Sequence, residues 1–148
     1  MNLELRQVPV SLVPALERDG RVFDLMCQAE GGLDLGKTWA GLNYLLSGSA
    51  DGNSAAFDGV ALEAHDTGYG PPMLLTSDEV RRYATELSQL DEAEVMADFS
   101  PELLTHGEVY PNRWSDSDRE WLLEALRSLR RYYVDAATKG HGMLVYLT

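Results

Sequence analysis

The spacing of Gly31, Gly36, Lys37 and Thr38 satisfies the G-x-x-x-x-G-K-[ST] pattern of phosphate-binding loops. In such loops, backbone N–H groups surround the phosphates, and the lysine and threonine hold the terminal phosphate and Mg²⁺. Here the residues before Gly31 have helical spacing, whereas a phosphate-binding loop follows a strand directly. Asp34 would also place a carboxylate among the phosphate ligands. The sequence therefore argues against nucleotide binding.

Residue types that act as nucleophiles or metal ligands occur in unfavourable contexts. Residues 52–56 approach the G-x-S-x-G pattern around Ser54, but a polar loop precedes them where the pattern needs a buried strand. Cys27 lies among large apolar residues and is expected to be a small buried hydrophobic residue. The three histidines lack the spacing of a metal site: His65, His106 and His141. We therefore predict no catalytic residue, no metal ligand and no cofactor.

Several aromatic and polar residues lie in expected loops or near helix starts. If these segments converge, their side chains suit recognition of a small ligand or a peptide. Filling of the core is the alternative, since aromatic rings contribute much of the buried area of a domain. The predicted ligand-binding residues are Lys37, Trp39, Asn43, Tyr69, Tyr110 and Trp114.

The acidic residues are concentrated in the middle third of the chain. Residues 51–100 contain eleven acidic and two basic residues, whereas the flanking thirds are nearly balanced. A helix expected over Asp91–Asp98 presents three acids on its outer side, namely Asp91, Glu94 and Asp98. Opposite charges accelerate association, so this surface is a predicted contact for a basic protein partner. The alternative is a merely solvated helix face.

Composition limits the classes of function. The chain has 148 residues, 45% of them apolar, and 24 acidic against 12 basic residues give a net charge of −12. This charge opposes binding to nucleic acids and anionic lipids. Neither a signal sequence nor an apolar run near the roughly 20 residues of a membrane span is present, so we expect a cytoplasmic protein. The single cysteine excludes an internal disulfide.

The hydrophobic periodicity predicts one α+β domain over residues 1–148. Strands are expected at Leu3–Val8, Met73–Leu75 and Met143–Leu147, the last buried on both faces. Helices are expected after Ser11 as N-cap, over residues 35–46, after Thr76 or Ser77, over residues 91–98 and from Ser115–Ser117 to about residue 139. This order predicts a small mixed or antiparallel sheet that includes both terminal strands and is covered by several helices.

Three segments carry a resemblance to a known family. They are residues 33–48 (LDLGKTWAGLNYLLSG), residues 68–71 (GYGP) and residues 110–114 (YPNRW), together with the tyrosine-rich last helix. The chain thereby resembles the YfbM-like family of bacterial proteins, a domain of unknown function. The resemblance implies a single α+β domain and supplies no reaction or catalytic residue. By this resemblance, many relatives have histidine where this chain has Asn43, so a proton-transfer role at this position does not carry over.

Two hypotheses for function follow. The first is a non-catalytic, acidic interaction or regulatory module that binds a basic protein. The second is a small-ligand-binding protein or enzyme that uses a cleft lined by the aromatic residues and Lys37. The uneven charge and the missing catalytic set favour the first hypothesis.

Overall fold

The computed structural model describes residues 1–148 as five strands and seven helices. The strands are β1 (Leu3–Val8), β2 (Leu33–Gly36), β3 (Val60–Ala61), β4 (Met73–Leu75) and β5 (Gly142–Leu147). The helices are α1 (Val13–Arg18), α2 (Gly20–Gln28), α3 (Trp39–Ser47), α4 (Ser77–Gln89), α5 (Glu92–Ala97), α6 (Pro101–His106) and α7 (Asp118–Thr138). None of these helices combines the length and apolar composition that a membrane crossing requires.

The strands form one open antiparallel sheet in the order β2-β1-β5-β4-β3. The two terminal strands pair along their whole length, from Leu3 opposite Leu147 to Val8 opposite Gly142. On its other side β5 pairs with β4, with Met73 opposite Val145. The predicted α+β domain with both terminal strands in the sheet is confirmed. The central position of β5 explains its continuous apolar sequence, because neither of its faces meets solvent.

Helices cover both faces of the sheet. Alternate side chains of the central strands point to opposite faces, so Leu5 and Val145 join the large core while Val8 and Leu144 join a smaller one. The large core packs against α3, α4 and α7, and the small core lies beneath α1 and α2. The sheet is therefore buried between two unequal layers, and its ends carry the connecting loops.

The start of α4 is fixed by local sequence. The Thr76 hydroxyl accepts a hydrogen bond from the Glu79 N–H at 3.2 Å, and the Glu79 carboxylate accepts one from the Thr76 N–H at 3.1 Å. This reciprocal pair satisfies two N–H groups that have no partner within the helix. The predicted cap at Thr76 is confirmed.

Two helix boundaries differ from the prediction. The helix expected to start at residue 35 begins at Trp39, because residues 33–36 pair with β1 as strand β2. The predicted helix started too early because Leu35 has the helical spacing of the apolar residues of α3. Leu35 belongs instead to the strand that precedes the turn. Ser11 does not cap α1; it lies in a 3₁₀ turn over Val10–Leu12 that leads into the helix, and Pro14 is in the first turn of α1.

Candidate functional site

One end of the sheet gathers four of the six predicted ligand-binding residues. Because the strands are antiparallel, β1 and β4 begin at the end where β2 and β5 finish. The segment after β2 carries Lys37 and Trp39, and the segment before β4 carries Tyr69. The Tyr110 hydroxyl reaches the same end, where it accepts a hydrogen bond from the amino group of Met1 at 2.7 Å.

Trp39 is the centre of an aromatic cluster at this end. Its ring centroid lies 5.1 Å from that of Phe57 and 6.1 Å from that of Tyr110. These distances are within the range of favourable aromatic pairs. The indole nitrogen Nε1 of Trp39 is buried and has no hydrogen-bond partner. Phe57 was not predicted, because nothing near it in sequence indicates that it packs against Trp39.

An apolar cavity of about 210 Å³ lies beside this cluster. We call it the sheet-end cavity. It is lined by Phe57, Ala61, Tyr69, Gly70, Pro71, Met73, Val145, Tyr146 and Leu147. Its walls thus come from the strands β3, β4 and β5 and from the loop before β4. Of the predicted ligand-binding residues, Tyr69 lines the cavity directly, and Trp39 contacts its wall through Phe57.

The loop that carries Tyr69 is held by a carboxylate. Oδ1 of Asp66 accepts hydrogen bonds from the N–H groups of Gly68 at 2.8 Å and Gly70 at 3.2 Å. Both glycines have φ near +100°, at 93° and 104°, where a side chain would be strained. This tight loop leaves the Tyr69 side chain 54% exposed at the rim of the cavity.

Asn43 and Trp114 are core residues. The Asn43 amide donates to the carbonyl of Gly52 at 2.8 Å, and its Oδ1 accepts from the Ser54 hydroxyl at 2.6 Å. Asn43 therefore fixes the loop that follows α3. The Trp114 indole is 8% exposed and donates to the Val109 carbonyl at 2.9 Å. Neither residue lines the sheet-end cavity.

The helix α5 has one side bound to the protein and one acidic side. The Glu92 carboxylate accepts three hydrogen bonds from Arg127 and one from Arg130, at 2.8 to 3.1 Å, which ties α5 to α7. The hydrogen bonds from Arg127, more than any other contact, lower the pKa of the Glu92 carboxyl. On the exposed side lie the predicted partner-binding residues, Asp91, Glu94 and Asp98, which we call the acidic α5 side.

Asp91 has a second role as the N-cap of α5. Its Oδ1 accepts from the N–H groups of Ala93 at 2.8 Å and Glu94 at 3.3 Å. Glu94 and Asp98 form no salt bridge with lysine or arginine. Ion pairs instead use Glu92 and Glu124, and Glu124 lies 3.9 Å from Arg127 on the same helix.

A polar network under α2 was not predicted from the sequence. The Arg6 guanidinium donates to the Tyr146 hydroxyl at 2.8 Å, and that hydroxyl donates to Glu4 at 2.9 Å. Burial is the largest cause of the raised pKa of Tyr146, and the hydrogen bond with Cys27 is the second largest. Burial likewise raises the pKa of the Cys27 thiol, which opposes thiolate formation. Strand alternation places Glu4 and Arg6 on one face, but no sequence signal indicates their partner 140 positions away from Arg6.

The remaining motifs form ordinary local structure. Residues 33–36 of the G-x-x-x-x-G-K-[ST] pattern are extended in β2, and the Thr38 hydroxyl is buried against the Leu35 carbonyl. These residues do not form a loop around a phosphate. His65 stacks on Phe23 at 5.6 Å and contacts the Leu16 carbonyl. No three side chains of His, Cys, Asp or Glu lie together in a way that would hold a metal ion.

The fold and the site define a small α+β domain with an open antiparallel sheet and an apolar cavity at one end of it. The chain belongs to the family described as Domain of unknown function (DUF1877), whose model matches residues 10–146. This agrees with the resemblance drawn from the sequence motifs. A similar solved structure is that of YfbM from Escherichia coli, a protein of unknown function, with a TM-score of 0.73, 18% identity and full coverage of both chains. No curated protein matches the sequence.

Proposed function

We propose that this protein is a non-catalytic binding module for a basic protein partner. The observation that carries the proposal is the lack of internal neutralisation in the middle third of the chain. Of its eleven acidic residues, Asp78, Glu86 and Glu92 form salt bridges with arginine. The other eight form none. Six of these eight are exposed: Asp51, Glu63, Asp66, Asp91, Glu94 and Asp98.

The geometry of α5 supports the same function. The inner side of the helix is fixed by the buried residues Val95 and Met96 and by the ion pairs of Glu92. The acidic α5 side therefore presents its carboxylates on a rigid element. These negatively charged groups attract a basic partner over a distance of about 8 Å, the Debye length at physiological salt. The attraction should raise the association rate and decrease with added salt.

The alternative of a small-ligand-binding protein or enzyme has weaker support. Only Tyr69 of the predicted residues lines the sheet-end cavity, and its volume of about 210 Å³ is below the roughly 300 Å³ at which drug-sized ligand sites begin. Catalysis by an enzyme also needs polar groups at the reacting atoms, whereas this cavity is lined mainly by apolar residues. A cavity of this kind suits one side chain of a partner better than a whole metabolite.

Affinity capture with a matched pair of variants tests the proposal. D91N/E94Q/D98N removes three charges from the acidic α5 side, and asparagine at position 91 can still cap the helix. E17Q/D24N/E30Q removes three exposed, unpaired charges from the region of α1 and α2. The proteins are used as bait in an Escherichia coli lysate at low and high salt, and captured proteins are identified by mass spectrometry.

The proposal requires a basic protein that the wild type and the control capture and that elutes with salt. Its purified form should bind D91N/E94Q/D98N about tenfold more weakly in calorimetry, since three exposed charges that contribute about 0.5 kcal/mol each account for about 1.5 kcal/mol. Equal affinity of the two triple variants for every captured protein would refute the acidic α5 side as a binding surface.

A further inference from the structure

The ladder between β4 and β5 has a gap next to the sheet-end cavity. Asn2 and Thr148 exchange two backbone hydrogen bonds of 2.9 Å, so the peptide groups of Thr148 face β1. In an antiparallel sheet the peptide groups of successive residues point to opposite sides. The N–H and C=O of Leu147 therefore point away from β1, toward the side on which β4 lies.

No strand residue pairs with Leu147 on that side. The register places Met73 opposite Val145, so Pro71 stands opposite Leu147. Proline has no N–H to donate, and no backbone hydrogen bond joins Pro71 to Leu147. The strand β4 begins only at Met73. One donor and one acceptor of the central strand are thus left without a strand partner.

The sheet-end cavity opens directly onto this gap. Leu147 and Pro71 both line the cavity, so the cavity borders both residues of the missing pair. The side chains of Val145 and Met73 lie on the same face of the sheet as that of Leu147. A residue paired with Leu147 would direct its side chain to this face. Its side chain would therefore enter the apolar cavity.

The chain segment that forms most of the cavity wall is acidic. No lysine or arginine occurs between Lys37 and Arg81, although this stretch forms most of the cavity wall. The Asp66 carboxylate lies at the rim, bonded to the N–H of the lining residue Gly70, and Glu63 is exposed nearby in sequence. Charge complementarity therefore favours an occupant with lysine or arginine beside its apolar residue.

We propose that the sheet-end cavity binds an extended basic segment of a partner protein. The segment pairs one residue with the N–H and C=O of Leu147, inserts the apolar side chain of that residue into the cavity and places flanking basic side chains near Asp66. The contact uses the main-chain pairing of strand addition, but at one position of a central strand and not along a sheet edge. It rests on the proposed function as a binding module for a basic partner and assigns that module a specific contact.

A synthetic peptide provides a direct probe. Acetyl-Lys-Thr-Leu-Thr-Lys-amide has a β-favouring sequence, one large apolar side chain and flanking cations. Binding to the ¹⁵N-labelled full chain is followed by NMR, with the amide signals of Leu147 and Tyr69 as reporters. We expect saturable shifts at these positions and slower hydrogen exchange of the Leu147 N–H.

Three peptide analogues test the three contacts separately. N-methylation of the leucine removes the donor to the Leu147 carbonyl and should weaken binding about fivefold or more. Glycine in place of leucine leaves the cavity empty and should weaken binding about tenfold or more. Glutamate in place of both lysines should also weaken binding about tenfold. Equal binding of all four peptides, or no saturable shift at Leu147, would overturn the proposal.

Two protein variants supply a second measurement. A61L fills the cavity from the edge strand β3, and Y69A removes an exposed wall without touching the core. Both should weaken peptide binding, while thermal unfolding and the remaining NMR signals report whether each variant is folded. A folded A61L that binds the peptide as tightly as wild type would contradict the proposal even if Y69A behaved as expected.

Binding to A61L and binding to D91N/E94Q/D98N distinguish a contact at the sheet-end cavity from a contact at the acidic α5 side. If a captured basic partner binds A61L and wild type equally but loses affinity for D91N/E94Q/D98N, the cavity is not its contact and the acidic α5 side is. If the peptide loses affinity for A61L while no basic protein distinguishes the two triple variants, the cavity binds peptide and the acidic α5 side has no such role.

Discussion

Replacing Gly41 by alanine has two opposite effects on stability: it raises the helix propensity of α3 and it crowds the side chain of Trp114. Gly41 lies inside α3, where alanine is favoured by about 1 kcal/mol over glycine. A Cβ atom at this position would overlap Cη2 of Trp114 and lie 2.8 Å from its Cζ2. Favourable carbon contacts occur at about 3.5 to 4.0 Å. The Trp114 ring must therefore move by more than an ångström, or α3 must move away from it.

The cost of this movement exceeds the gain in propensity. Overpacking a core costs about 1 to 3 kcal/mol, and Trp114 is fixed by its hydrogen bond to the Val109 carbonyl at 2.9 Å. Loss of that bond adds about 1 kcal/mol. After subtraction of the propensity gain, we expect G41A to lower the free energy of unfolding by about 2 kcal/mol. For a domain of this size the melting temperature should fall by about 4 to 8 °C.

Urea denaturation followed by circular dichroism measures the effect. The matched variant A93G, at an exposed position of α5, gives the propensity difference in this protein without a packing change. The double variant G41A/W114F should lose less than the sum of the two single variants, because the smaller ring leaves room for the new methyl group. A stabilised G41A, or strict additivity in the double variant, would refute the packing explanation of Gly41.

Three further predictions concern a cap, an ion pair and a thiol. T76A should lower the free energy of unfolding by about 1 kcal/mol in urea titrations, because it removes the cap of α4; T76S should recover most of it, and an unchanged midpoint for T76A would be inconsistent with the cap. Arg127 lowers the native pKa of Glu92, so this carboxyl stabilises the fold above its unfolded pKa and loses that contribution as the pH falls through the lower native pKa. The stability difference between wild type and E92Q should therefore be largest near neutral pH and vanish in acid, unlike that of the exposed control E120Q; a pH-independent difference would be evidence against it. Burial raises the pKa of Cys27, so its reaction with a disulfide reagent at pH 8 should be slower in the folded protein than in urea, and equal rates would exclude this effect.

Much of the fold follows from periodicity, but the site does not. The apolar run of β5 and the regular spacing of α7 predicted their burial, since burial of a whole strand or helix face leaves a pattern in the sequence itself. The predicted ligand-binding set was only partly brought together. Trp39, Tyr69 and Tyr110 lie at one end of the sheet, whereas Trp114 packs against Gly41 in the core. An aromatic residue in a loop carries no local mark that separates these two environments.

Sequence alone determined the features that depend on residues a few positions apart. The cap of α4 needs only Thr76 and Glu79, and the tight loop before β4 needs only Asp66 and its two glycines. Such structures can be predicted from the sequence, because the interacting groups are only a few residues apart in the chain.

Tertiary structure decided the contacts between distant segments. Phe57 lies beside Trp39, and Tyr146 bonds Arg6, only because the sheet register brings these segments together. The unpaired position at Leu147 likewise depends on a proline 76 residues earlier in the chain, whose missing N–H matters only once β4 is aligned with β5. An unpaired position in a sheet depends on how two strands are aligned, so the sequence of either strand alone does not reveal it.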